Sequence, residues 1–105
     1  MLARKLLFVV MIVMLSAAGA VQAGGDPARG AELAADCVDC HGADGMGDAD
    51  NPKIAGLDEA KHVEMLEGYK SGAIPDPDGM MVDYVAELSE QDMADLAAYY
   101  ATLKQ

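Results

Sequence analysis

Cys37 and Cys40 are the only cysteines in the 105-residue chain, and they stand in the run Cys37-Val38-Asp39-Cys40-His41. Four chemistries use two thiols at such spacing. A disulfide between them would close a loop too small to constrain the unfolded chain by much. A thioredoxin-like redox pair needs a βαβ setting, and the sequence offers none. Zinc needs two further ligands, and only His62 and carboxylates remain to supply them. C-x-x-C-H is the attachment signature of c-type haem. Three residues apart on a helical turn, the thiols project to one side and can each join a porphyrin vinyl group as a thioether. His41 follows at once, placed to bind iron. Of the four, covalent haem c is the reading that the residues carry best.

An iron held by His41 on one face takes a second ligand on the other. Met46, Met65, Met80, Met81, Met93 and His62 are the available side chains. Met65 and Met93 fall in helical stretches, where methionine usually fills a core. Met80 and Met81 fall in what reads as a loop before the last helix.

Three helices must position these groups, and the expected fold is all-α. Asp26 is a candidate N-cap and Pro27 a first helical residue for a short helix over 27–37, which ends at the cysteines. From His41 to Gly56 glycine, aspartate, asparagine and proline dominate, and the stretch reads as a loop wrapped around something. Asp58 is a candidate cap for a helix to about Ser71, with Val63, Leu66 and Tyr69 at helical spacing and Gly72 as its stop. Residues 71–84, punctuated by Pro75, Pro77 and Gly79, read as a second loop. Ser89 and Asp92 form a candidate capping box for the last helix, whose apolar face is Met93, Leu96, Ala97, Tyr100 and Leu103.

Gly30 before CVDCHG, then NPKIAGL, a methionine, and LSEQDMADLAAYYATL together resemble the small class I cytochromes c of bacteria, from residue 24 to the end of the chain. The resemblance implies three main helices and loops wrapped around one covalently bound haem. In relatives with the same closing pattern the ligand methionine stands eight positions before the serine, which here is Met81, with Met80 the runner-up. His62 is then an exposed helix residue. Gly30 would let the first helix cross the last closely, with Leu33 facing Leu96 and Tyr99 or Tyr100. A carbonyl in the loop ending at Pro52 would accept the proton on the free nitrogen of His41, and Ile54 and Leu57 would cover the haem. His/Met ligation raises the haem potential and leaves no open position for oxygen. The implied function is one-electron transfer between larger redox proteins rather than enzyme catalysis. A haem enzyme or ligand sensor would need open iron. The stretch HVEMLEGYKSGAI, over residues 62–74, is also similar to the cytochrome subunit of flavocytochrome c sulfide dehydrogenase, which makes a dedicated subunit the alternative.

The first 23 residues carry Arg4 and Lys5, then an apolar run, then small residues ending Val21-Gln22-Ala23. That order is a secretory signal peptide with cleavage after Ala23, and the stretch from Leu6 to Gln22, which ends in small residues, falls slightly short of the ~20 residues of a spanning helix. Export to the periplasm follows, and contact with a membrane would come only through a membrane-bound partner. Residues 24–105 would then be one cytochrome c domain of 82 residues, near the lower limit for a self-sufficient core. That part has no Trp or Phe, so a large apolar cofactor would supply missing core. Its five Lys and Arg stand against 18 Asp and Glu, a formal charge of −13. Such a charge disfavours nucleic acid and suits basic docking surfaces on a dehydrogenase or flavoprotein donor and on an oxidase or reductase acceptor.

Overall fold

The computed structural model of the protein describes residues 24–103. The expected signal segment and its cleavage point lie outside the described residues. Five α-helices and one 3₁₀ turn form from residues 24–103, and no strand occurs among them.

Helix α1, Pro27–Leu33, starts as its sequence dictates: the Asp26 side chain accepts from the Ala28 N–H at 2.9 Å, and Pro27 sits where no helical N–H is needed. The expected continuous helix over 27–37 tightens after Leu33 into the 3₁₀ turn Ala34–Asp36, a common way to satisfy carbonyls at a helix end. Helix α2, Val38–His41, follows Cys37 and contains Cys40 and His41. A loop leads to α3, Glu59–Ser71, which Asp58 caps and Gly72 ends with a left-handed φ of 84°. Helix α5, Glu90–Thr102, opens on a complete capping box, with Ser89 Oγ accepting from the Asp92 N–H and the Asp92 carboxylate accepting from the Ser89 N–H.

The second loop is shorter than the sequence implies. Met80–Ala86 forms helix α4, so Met80 and Met81 lie on its first turn and not in a loop. This corrects the reading of 71–84 as irregular throughout. The cue was weak, because α4 has seven residues, no side-chain cap, and Gly79 at a φ of 70° before it.

The core forms where α1 and α5 cross and α3 packs beside them. Met93, Leu96, Ala97 and Tyr100 of α5 are all buried, with Ala34, Ile54, Leu66 and Val85 from the other segments. Gly30 is the contact point: a Cβ there would fall 2.7 Å from the Tyr99 Cβ and closer still to the Asp95 carbonyl. Asp95, 2% exposed, ties the crossing by accepting from the Asp26 N–H at 2.7 Å and from Gln91 Nε2 at 2.9 Å. No helix among the described residues is long and apolar enough to cross a membrane.

Candidate haem-binding site

A cavity of about 330 Å³ opens between these helices, within the ~300–1,000 Å³ usual for cofactor pockets. Cys37, Cys40 and His41 line one part of its wall, and Met80 and Met81 also line it. The 3₁₀ turn and α2 deliver the first three, and α4 delivers the methionines. Leu33, Ile54, Leu66, Val85 and Leu96 make the lining mainly apolar.

His41 is buried, and its Nδ1 lies 2.7 Å from the Pro52 carbonyl oxygen. A carbonyl only accepts, so Nδ1 carries the proton and Nε2 is left with a free lone pair. The loop that holds Pro52 is pinned by the N–H groups of Ile54 and Ala55, which both donate to the Gly45 carbonyl at 2.8 and 2.9 Å. Met81 is half-buried and packs against the core, whereas Met80 is 60% exposed. Ile54 lines the cavity. Leu57, expected over the cofactor, packs against the hydrophobic core and is not part of the cavity wall.

His62 departs from expectation most clearly. The sequence marks it as an exposed helix residue, and the structure buries it to 4% exposure on the cavity wall. The inward stripe of α3 runs through His62, Leu66 and Tyr69, spaced i, i+4 and i+7, so a polar side chain occupies an apolar register. Its ring lies 5.6 Å from that of Tyr100. Burial, and secondarily the charge of His41, lowers its pKa to about 4. Burial first, and then Cys37, pushes the Tyr100 hydroxyl above its ordinary range. The Cys37 thiol is itself raised by burial, against a smaller opposite pull from Tyr100.

His62 Nδ1 and Tyr100 Oη are buried with no hydrogen-bond partner. Buried polar atoms without partners are rare in folded proteins, and the cleaner case here is His62 Nδ1, because the Tyr100 hydroxyl lies close enough to the Cys37 thiol to affect its titration. The donor set fits haem: two thiols on one turn, an imidazole nitrogen left free by a backbone carbonyl, and a half-buried thioether sulfur. Sequence reasoning missed Val85 and His62 as wall residues. Met81, Val82 and Val85 do recur at helical spacing and could have signalled α4.

The description of the cytochrome c family, "Cytochrome c", matches residues 27–104. The chain is 39% identical over 101 residues to cytochrome c4 of Pseudomonas aeruginosa, covering 93% of this chain and 48% of that protein. It is 41% identical over 90 residues to cytochrome c-554(547) of Halothiobacillus neapolitanus, covering 76% of this chain and 99% of that protein. Among solved structures, the thiosulfate dehydrogenase of Marichromatium purpuratum superposes with a TM-score of 0.68 at 30% identity, over 74% of this chain and 19% of that one. The chain spans about half the length of the cytochrome c4 relatives it matches. Its helical architecture is the class I cytochrome c fold. The chain belongs to the cytochrome c family, whose members carry a covalently bound haem c with its iron, and its two cysteines stand at the spacing that such attachment requires.

Proposed function

We propose that this protein is an exported, single-haem electron carrier and not itself an enzyme. When bound, haem supplies a one-electron Fe(II)/Fe(III) couple. Cys37 and Cys40 would hold it by thioether links, and His41 would bind its iron through Nε2, with the Pro52 carbonyl fixing the imidazole's orientation and raising its basicity. Met81 would supply a second iron ligand. Its half-buried place against the core supports it over Met80, whose side chain is largely in solvent. Ile54, with Leu66, Val85 and Leu96, keeps water from the ring, so the charge change meets a stiff apolar wall. The observation that carries the reading is the cavity itself, with the cysteine–histidine run and the methionine helix on its wall.

Residues 1–23 act as a cleaved signal peptide, residues 24–105 are the cytochrome c domain, and the periplasm is its compartment. Its partners are redox proteins there. A second reading is supported by its relatives: a thiosulfate dehydrogenase electron acceptor of Stutzerimonas stutzeri is 38% identical over 79 residues. On that reading the chain is a dedicated acceptor for a sulfur-compound dehydrogenase, in the same class as the flavocytochrome subunit.

Intact-mass analysis of protein purified from the periplasm tests the reading directly. The expected mass is the chain from Gly24 plus one haem, and the oxidised protein should show the weak near-infrared band of methionine-ligated ferric haem. Haem released by acid acetone would overturn covalent attachment. Co-purification of a dehydrogenase in fixed stoichiometry would decide for the dedicated acceptor.

A further inference from the structure

Helix α4 carries Met80 and Met81 on its first turn but supplies no cap of its own: Gly79 stands at the N-cap with a φ of 70° and has no side chain to offer. The first N–H groups of a helix have no partner within it. One of them is satisfied from outside. The Asp76 carboxylate accepts from the Val82 N–H at 3.0 Å, and the Asp76 carbonyl accepts from the Gly79 N–H at 3.0 Å. Asp76, six residues before Val82, thus does what an N-cap side chain does from three residues before.

The backbone that delivers this carboxylate is stiff. Asp76 stands between Pro75 and Pro77, each ring fixing its own φ and pushing the residue before it toward an extended conformation. In the sequence these prolines read only as loop punctuation. Ahead of them Ile74 is tied to α3. Its N–H donates to the Gly68 carbonyl at 3.1 Å, and its side chain lies over Gly68, where a Cβ would fall 2.6 Å from Ile74 Cδ1. A chain of contacts therefore runs from Gly68 of α3 through Ile74, Pro75, Asp76 and Pro77 to Val82 of α4, the residue directly after Met81. Just beyond the other end of α4, Lys70 of α3 donates to the Leu88 carbonyl.

We propose that Asp76 is a positioning residue for Met81. By accepting from the Val82 N–H it fixes the first turn of α4, and with it the place of the thioether sulfur on the cavity wall. Without that bond the first turn frays, and a ligand that must be ordered each time it binds is given up more readily. The role belongs to the hydrogen bond and not to the negative charge. The inference rests on the reading of Met81 as an iron ligand and adds what holds that ligand in place.

Imidazole, a small ligand for haem iron, is the probe. It binds where the methionine has let go, so its affinity for the oxidised haem-bearing protein reports how firmly Met81 is held. Asp76→Ala removes both bond and charge. Asp76→Asn removes the charge and keeps a carbonyl oxygen that can accept from the Val82 N–H. Asp83→Ala removes a charge from α4 at an exposed position outside the cavity wall. Imidazole should bind Asp76→Ala about fivefold more tightly than the wild type, the factor that a lost helix cap carries, and the other two variants within about twofold. The near-infrared band of methionine-ligated ferric haem should weaken in Asp76→Ala alone. No change in Asp76→Ala, or an equal change in either of the other variants, would overturn the proposal.

Amide hydrogen exchange in the wild type gives a readout that does not depend on any variant folding. The Val82 N–H should exchange about tenfold or more slowly than those of Met80 and Met81, which share the first turn and have no such acceptor. Equal exchange would remove the bond on which the role of Asp76 depends. A wild type without the near-infrared band sinks the reading of Met81 as ligand, whereas a wild type that shows it, with Asp76→Ala unchanged, sinks this inference alone.

Discussion

The cysteine–histidine wall and the methionine wall of the cavity are built in different ways. On the first, the Pro52 carbonyl holds His41, which shares α2 with Cys40; Cys37 stands just before α2, and the α1–α5 crossing lies behind. On the second, a seven-residue helix with no side-chain cap follows a loop anchored by Asp76, whose carboxylate accepts from the Val82 N–H at 3.0 Å. The first wall is locked by backbone contact, and the second rests on a few local bonds. On the proposed function, holding a cofactor and tuning it fall to separate parts of the chain, and the part that carries Met81 is held by fewer local bonds.

The sharpest way to break that comparison is to strike the crossing. Gly30→Val would drive a branched side chain into the Asp95 carbonyl and the Tyr99 Cβ, where both neighbours belong to α5 and cannot rotate away. A loss of at least about 3 kcal/mol is expected, the upper end of overpacking costs. Chemical denaturation of the haem-bearing protein measures it. A loss under about 1 kcal/mol would mean that the two helices slide apart easily and that the first wall is not locked.

His62 tests the rear of the cavity by pH. Its pKa is lowered from 6.5 to about 4 on folding, so the unfolded chain binds the proton first as pH falls. The stability due to a neutral His62 is complete above pH 6.5 and is lost as pH falls through that value to about 4, an effect of up to about 3 kcal/mol. His62→Phe should flatten that part of the stability profile. Burial is the leading cause and a bound cofactor adds to it, so an unchanged acid slope in the variant would show that His62 is hydrated in solution.

The methionine wall should yield a different kind of effect. Met81→Ala should leave the protein folded and its haem attached, abolish the near-infrared methionine-to-iron band, and lower the potential by on the order of 0.1 V, a modest part of the ~0.8 V that axial ligands span. Met80→Ala should change none of these and cost less than about 0.5 kcal/mol, as expected of an exposed side chain. The opposite pattern would move the ligand to Met80.

The two walls were also unequally legible in the sequence. Asp26, Pro27, Asp58, Gly72, Ser89 and Asp92 specify their helix ends by local chemistry, and each does in the structure what its residue type implies. The CVDCH run needs no tertiary context to be read. Helix α4 was missed because prolines and glycines before it look like loop throughout, and its stability comes from Val85, fully buried against other segments. His62 was missed for a related reason: burial of an imidazole depends on what packs over it, and the i, i+4, i+7 stripe with Leu66 and Tyr69 is visible only if a polar residue is allowed inside. The distribution of the carboxylates was likewise not legible, since Asp36, Asp50, Asp76, Asp78 and Glu87, from four separated segments, come together on the cavity wall only in the fold.

The smallest expected effect lies at the crossing itself and separates two kinds of contact within it. Arg29 sits 3.3 Å from Asp92 and 3.7 Å from Asp95, and its side chain is 48% exposed. Half in water, such a pair is worth about 0–1 kcal/mol and weakens with salt. Asp95 does not depend on it, because the Asp26 N–H and Gln91 Nε2 already occupy its carboxylate. Arg29→Ala should therefore cost about 0.5 kcal/mol or less at moderate salt. Asp95→Ala, which strands the Asp26 N–H and opens a small void at the crossing, should cost about 1–3 kcal/mol with little salt dependence. If Arg29→Ala proved the costlier of the two in denaturant unfolding, the crossing would be held by surface charge, and the contrast between a locked wall and an adjustable one would lose its physical basis.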